Sequence, residues 1–205
     1  NAHGIVVDKE NRRGYVTHTG ANAIYQFELN ASASSLEPAA RPVIRTPEKS
    51  GPRHIALHPK KPFAYADNEQ GNSITFFRIV KGNLQAVQTL STVPDDWDQG
   101  GACARLEMSV DGRYVYVANR GHNSIAGFSV DASSGQLAAV GQVSTEDRPS
   151  AFSLDPEGHF LFAAGSETDR LASYRVNGET GELTPLEIYS VGKRPMWILM
   201  TNLGG

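Results

Sequence analysis

The sequence predicts an all-β fold, a β-propeller of four-stranded antiparallel blades with about four blades present in its 205 residues. Three observations predict it. Apolar residues alternate, as at Leu106, Met108 and Val110 ahead of the β-branched and aromatic run Tyr114–Ala118, and a period of two marks a strand with one buried face. Turn signals such as Asp111-Gly112 and Gly121-His122-Asn123 separate these runs, because Gly accepts positive φ and Asp or Asn can bond its own backbone. The whole pattern then recurs: GYVTHTGANAIYQF at 14–27, FAYADNEQGNSITFF at 63–77, YVYVANRGHNSIAGF at 114–128 and FLFAAGSETDRLASY at 160–174 align. The residue opening each third strand falls at Ile24, Ile74, Ile125 and Leu171, 50, 51 and 46 residues apart, and the aromatic at Tyr15, Tyr65, Tyr116 and Phe162 keeps the same spacing. A four-strand unit at this period is a propeller blade; a Greek-key sandwich has no reason to repeat its turns in register.

Taken in order, the first unit spans about 2–52. Its inner strand covers 2–8, the Lys9–Arg13 turn follows, and strands come at about 14–18 and 23–29. Asn30–Ala40 is rich in Ser and Ala and reads as a loose outer turn before a fourth strand near Val43–Arg45. Thr46–Pro52 is a connector, with Pro47 and Pro52 interrupting ladder bonding. The second unit, about 53–103, has a tight Lys81-Gly82-Asn83 turn; the third (104–149) and fourth (150–195) use the longer VDASSGQL and NGETGEL. The longest connector is VPDDWDQGGACA at 93–104, and a long loop on one face of a propeller is a natural place for function. Met196–Thr201 matches an inner strand again, so 196–205 is expected to start or close another blade, and the chain is read as one partial propeller over 1–205.

Composition excludes several classes. A net charge of −3 without a basic run argues against a nucleic-acid partner. No apolar run reaches the roughly 18–20 residues that span a bilayer, so no membrane partner is expected. The opening NAHGIVVDKEN lacks the basic and apolar regions of a signal peptide and has no initiator Met, which reads as a processed or excised piece. The lone Cys103 rules out an intrachain disulfide and suits a reducing compartment; the cytoplasm is the expected location, with an exported form left open. No His/Cys cluster has zinc spacing, and neither a Gly-rich phosphate loop nor a G-x-S-x-G elbow is present, so no metal or cofactor is expected. Asp95, Asp96 and Asp98 around Trp97 read as a solvated acidic loop rather than a cation site.

Three motifs in order, in GPRHIALHPKKPFAYADNE at 51–69, SVDGRYVYVANRGHNSIAGF at 109–128 and GKRPMWILM at 192–200, resemble the lactonase family of seven-bladed propellers. That family includes the propeller-type 6-phosphogluconolactonases and a fungal carboxy-muconate cyclase. The resemblance covers essentially the whole chain and places it in the C-terminal part of such a ring. It implies hydrolysis of a sugar lactone of the 6-phosphogluconolactone type at the channel mouth, with a small anionic lactone as substrate. A lactonizing muconate cyclase and a non-catalytic binding scaffold are the alternatives. It also implies association with missing blades or a second copy.

Such reactions need a group to handle a proton and cations to hold the substrate anion and the developing oxyanion. The inner-strand starts align as His3, Arg53, Ala104 and Ser150, followed by Gly4, His54, Arg105 and Ala151. Glu107, His54 and His3 are the candidate proton-handling residues; Arg53, Arg105, Arg120 and Arg148 are the candidate substrate-binding cations. Each has a structural alternative. Arg53 could pair with a carboxylate between blades, His54 could bond a backbone carbonyl in the seam, and His3 could fray. Arg120 is favoured over His122 within their shared turn. Arg105 and Glu107, two apart on one strand, share a side and form a pair that is either catalytic or structural. The chain also departs from the family pattern: Arg105 stands where a Glu is common, Pro149-Ser150-Ala151-Phe152 replaces a Pro-Arg motif, and Gly165-Ser166 replaces an Asn-Gln pair. Arg148 is the expected stand-in for the lost arginine.

Overall fold

The computed structural model describes residues 1–202, as sixteen strands in four antiparallel sheets with no helix among those residues. No helix long and apolar enough to cross a membrane is therefore present among them. The first sheet is β1 (Ala2–Val7), β2 (Arg13–His18), β3 (Ala23–Asn30) and β4 (Ser35–Arg45); the second is β5 (Pro52–Leu57), β6 (Phe63–Asn68), β7 (Ser73–Val80) and β8 (Asn83–Ser91). The third is β9 (Cys103–Met108), β10 (Tyr114–Asn119), β11 (Ser124–Val130) and β12 (Leu137–Ser144); the fourth is β13 (Pro149–Leu154), β14 (Phe160–Gly165), β15 (Arg170–Val176) and β16 (Leu183–Ser190). Each sheet runs in sequence order, and the first strands β1, β5, β9 and β13 pack side by side. This is the propeller arrangement.

Three apolar layers lie between successive sheets. One joins Tyr15 and Ile24 to Ile55 and Phe77; the next joins Tyr65 and Phe76 to Leu106 and Phe128; the third joins Tyr116 and Ile125 to Phe152 and Leu161. The second strands are clamped on both faces, and β6 and β10 are buried along their whole length, which is why they read as near-continuous apolar runs.

A repeated polar contact fixes the angle between sheets. The hydroxyls of Tyr15, Tyr65 and Tyr116 donate to the carbonyls of Gly82, Gly135 and Gly181, each in the third-to-fourth turn of the next sheet, at 3.0, 2.9 and 2.8 Å. The fourth position, Phe162, has no hydroxyl. A second device ties each connector to the turn before it. Asn22, Asn72, Asn123 and Asp169 all adopt positive φ, and their side-chain oxygens accept from the backbone amides of Gly51, Ala102, Arg148 and Arg194. Asn and Asp tolerate this left-handed conformation better than other non-Gly residues.

Two expectations need correction. The fourth strand of the first sheet begins at Ser35, well inside the segment expected to be a loose turn. It survives its prolines because Ala39–Pro42 bulge out between the Phe27–Pro38 and Tyr25–Val43 pairs, and the Gln26 amide bridges the bulge by donating to the Arg41 carbonyl at 2.5 Å. Met196–Thr201 forms no strand. A first strand in this fold is held by the second strand that follows it, and none follows among the described residues; Trp197 instead lies under the Arg105 guanidinium, 4.9 Å from its centre. Residues 203–205, the rest of that expected blade, lie outside the described residues.

Candidate active site

Each first strand carries a bulge at the same place. The register skips His3 between Ala2 and Gly4, Arg53 between Pro52 and His54, Ala104 between Cys103 and Arg105, and Ser150 between Pro149 and Ala151. A bulge leaves one residue unpaired and re-aims its side chain. The residues that align at the strand starts are thus the ones the backbone sets free. The second-to-third turns reach the same end of the sheets, since successive strands are antiparallel.

There His3, Arg53, His54 and Arg120 come together around two carboxylates that the sequence reading did not single out, Asp67 and Glu69. The Arg120 guanidinium donates to Glu69 Oε1, while Arg53 Nε lies 3.6 Å from Glu69 Oε2. Arg120 is braced by the carbonyls of Ala102 (3.3 Å) and Cys103 (3.4 Å). Glu69 is therefore shared by guanidiniums from the second and third sheets. Arg53 Nε is buried without a hydrogen-bond partner, and 3.6 Å is too long for one, so its contact with Glu69 is one of charge. Burial, and then the neighbouring Arg120 charge, lower the Arg53 pKa.

Asp67 is fully buried, and its Oδ1 accepts from the His54 amide at 2.7 Å. That bond fixes the backbone just after the bulge. The His54 ring lies 3.3 Å from Arg53 Nη1 through Nδ1, and Nδ1 can accept that proton only as the neutral tautomer with hydrogen on Nε2. His3 packs its ring edge-on against His54, with centroids 4.9 Å apart. Partial desolvation, then the Arg53 charge and His54, lower the His3 pKa below its usual 6.5. Nearby Cys103 is inert: burial, followed by Asp67, pushes its thiol up to about 12, and a thiol so protonated is no nucleophile.

The other expected residues lie apart from this cluster's contacts. Both nitrogens of Arg105 that reach Glu107 engage its Oε1, Nη2 at 2.5 Å and Nε at 3.2 Å, while Oε2 accepts from the Leu154 amide at 2.9 Å. Both oxygens of Glu107 are thus engaged, one across the seam to β13. Arg148 is exposed and sits 3.5 Å from Glu167. His122 bonds Ser124 at 2.8 Å and takes the edge of Trp97. Asp95, Asp96 and Asp98 do not converge; the one group of three candidate metal ligands among the described residues is Asp155, Glu157 and His159, in the turn at the opposite end.

Comparison with known proteins agrees with the propeller arrangement of the sheets. The family described as Lactonase, 7-bladed beta-propeller, matches residues 1–200. The chain belongs to this lactonase family. A 6-phosphogluconolactonase of Cronobacter sakazakii is 34% identical over 200 residues, 97% of this chain and 60% of that protein. One from Erwinia tasmaniensis is 30% identical over 201 residues, 98% of this chain and 61% of that one. Among solved structures, the periplasmic gluconolactonase of Pseudomonas aeruginosa superposes with a TM-score of 0.88 at 27% identity, covering 94% of this chain and 55% of that one. The lactonase-family chain thus spans about three-fifths of the curated relatives it matches.

Proposed function

We propose that this lactonase-family chain hydrolyses a sugar lactone of the 6-phosphogluconolactone type at the His3–Arg53–Glu69–Arg120 cluster. The observation that carries the reading is the pair of guanidiniums bridged by Glu69 beside an imidazole whose pKa is lowered. The names of its relatives supply the substrate class. In this reading neutral His3 takes a proton from water as the water oxygen bonds to the lactone carbonyl carbon. The terminal nitrogens of the Arg53 guanidinium stabilise the oxyanion so formed. Collapse of the tetrahedral intermediate breaks the bond from that carbon to the ring oxygen, and His3 returns the proton to the departing oxygen, giving the open hydroxy acid. Glu69 positions both guanidiniums, and Arg120 adds charge for the anionic substrate. Arg105 and Glu107 serve the seam rather than the chemistry.

The test is release of the hydroxy acid from 6-phosphogluconolactone by the full-length protein, corrected for spontaneous opening; no turnover overturns the reading. Its pH profile follows from His3. Because the base must be neutral and its pKa is lowered, kcat/KM is expected to be level around pH 7 and to fall only as pH drops through a value below 6.5. An acid limb centred above 6.5 removes His3 from the role.

The end sheets support a further reading about assembly. Ile5 is 65% exposed on the outer side of the first sheet, and Tyr189, opposite Leu171 on the outer side of the fourth, is 48% exposed. We read these faces as surfaces covered by further blades or by a second copy. Light scattering on the 205-residue chain should then give a mass above one chain, and a strict monomer with both faces wet counts against this.

A further inference from the structure

At the end of the sheets opposite the cluster, a cleft of about 540 Å³ opens between the first and second sheets. Its floor is apolar, formed by Val6, Leu57 and Ile79. Its rim is cationic: Lys9, Arg12, Arg13, Lys60 and Lys61 line it against only two carboxylates, Asp8 and Glu10. A local excess of three positive charges stands on a chain whose net charge is −3.

The carboxylates do little to cancel that excess. Asp8 Oδ1 accepts from the backbone amides of Arg12 (2.7 Å) and Arg13 (3.1 Å), which holds the β1–β2 turn. Glu10 pairs loosely with Lys9 at 3.9 Å, and Arg13 pairs with Glu28 at 3.3 Å. Among the described residues, no carboxylate reaches within 4.0 Å of the charged groups of Arg12, Lys60 or Lys61. The two lysines belong to an ordered turn, because His58 Nδ1 accepts from both their backbone amides at 3.0 and 3.1 Å. Burial and then the charges of Lys61 and Lys60 hold the His58 pKa below its usual value. The equivalent turn of the third sheet carries an Asp111–Arg113 pair at 2.6 Å, and that of the fourth an Asp155, Glu157 and His159 group. The basic character therefore belongs to this one seam and is not a property of the repeat.

We propose that this cleft is a second ligand site, taking a small organic phosphate whose dianion meets Arg12, Lys60 and Lys61 while its body rests on the apolar floor. Adjacent lysines suit a phosphate as point charges, and a guanidinium offers it a fork of donors. The site is separate from the proposed catalytic cluster, which lies at the other end of the same sheets.

Phenyl phosphate and inorganic phosphate, titrated at constant ionic strength and followed by amide NMR shifts, test this. Saturable shifts confined to residues 8–13 and 58–62, with phenyl phosphate binding more tightly than inorganic phosphate, are expected. The double variant Lys60→Ala/Lys61→Ala should raise the dissociation constant at least tenfold, and Arg53→Ala should leave it within twofold. Three results overturn the proposal: no shifts in those turns at millimolar ligand, equal shifts in the turns of the third and fourth sheets, or loss of binding in Arg53→Ala alone.

Discussion

Replacing Arg53 by Ala is expected to lower kcat/KM for 6-phosphogluconolactone by a factor on the order of 10²–10³, the usual cost of removing one donor aimed at a developing oxyanion. That corresponds to about 3–4 kcal/mol of lost transition-state stabilisation. The fold should tolerate the change. Arg53 stands in a bulge, its side-chain Nε has no hydrogen-bond partner to lose, and its backbone carbonyl still accepts from the Thr17 hydroxyl at 2.5 Å. Glu69 would keep its bond to Arg120. Arg53→Lys separates charge from geometry: an ammonium restores attraction for the substrate anion but not a planar fork. KM should therefore recover further than kcat. Steady-state kinetics beside a circular-dichroism melt reads both effects, and an Arg53→Ala protein with unchanged kcat/KM would place the chemistry elsewhere.

The fold was legible because its information is local and repeated. Tyr15, Tyr65 and Tyr116 fall in the same register and each meets a glycine turn of the next sheet, so the spacing seen in the sequence is the spacing of the sheets. The segments that escaped the reading depend on neighbours. Ser35–Pro42 has weak strand composition, yet it pairs along β3 once Ala39–Pro42 loop out; propensity gives way to the available edge. Met196–Thr201 has the apolar pattern of a first strand but no second strand to pair with among the described residues.

The site divides along the same line. Aligning the repeats brought out His3, Arg53 and His54, because all three sit at the strand-start bulge. Glu69 occupies in the second repeat the place that Arg120 holds in the third, and they meet across 51 residues. That exchange of a carboxylate for a guanidinium at one register position was the available signal, and it gains meaning only when adjacent sheets are known to face each other. Asp67 was hidden inside a buried strand, where its partner is a backbone amide. Glu107 pairs with Arg105 as their two-residue spacing suggests, but its second bond, to the Leu154 amide, lies 47 residues away.

Phe76→Ala is expected to cost about 3–5 kcal/mol of stability, the range for deleting a fully buried phenyl ring. Phe76 has no exposed surface, stacks on Tyr65 with centroids 5.3 Å apart, and meets Phe63 edge-on at 5.4 Å. It also closes the turn of the third sheet: a Cβ added at Gly135, where φ is +80°, would lie 2.5 Å from the Phe76 ring. Only glycine fits there, and the Tyr65 hydroxyl bonds its carbonyl at 2.9 Å. Removing the ring opens a cavity under that turn and loosens the seam between the second and third sheets. Urea unfolding should show a lower midpoint with an unchanged slope, whereas Tyr65→Phe, which removes only the hydroxyl bond, should cost about 1 kcal/mol. The same seam sets the distance between Glu69, just after β6, and Arg120, just after β10. Phe76→Ala should therefore weaken turnover at temperatures well below its unfolding transition, while an equally destabilising change between the third and fourth sheets, such as Leu161→Ala, should spare it. If the two variants lose activity alike, general destabilisation rather than the Glu69–Arg120 spacing explains the loss.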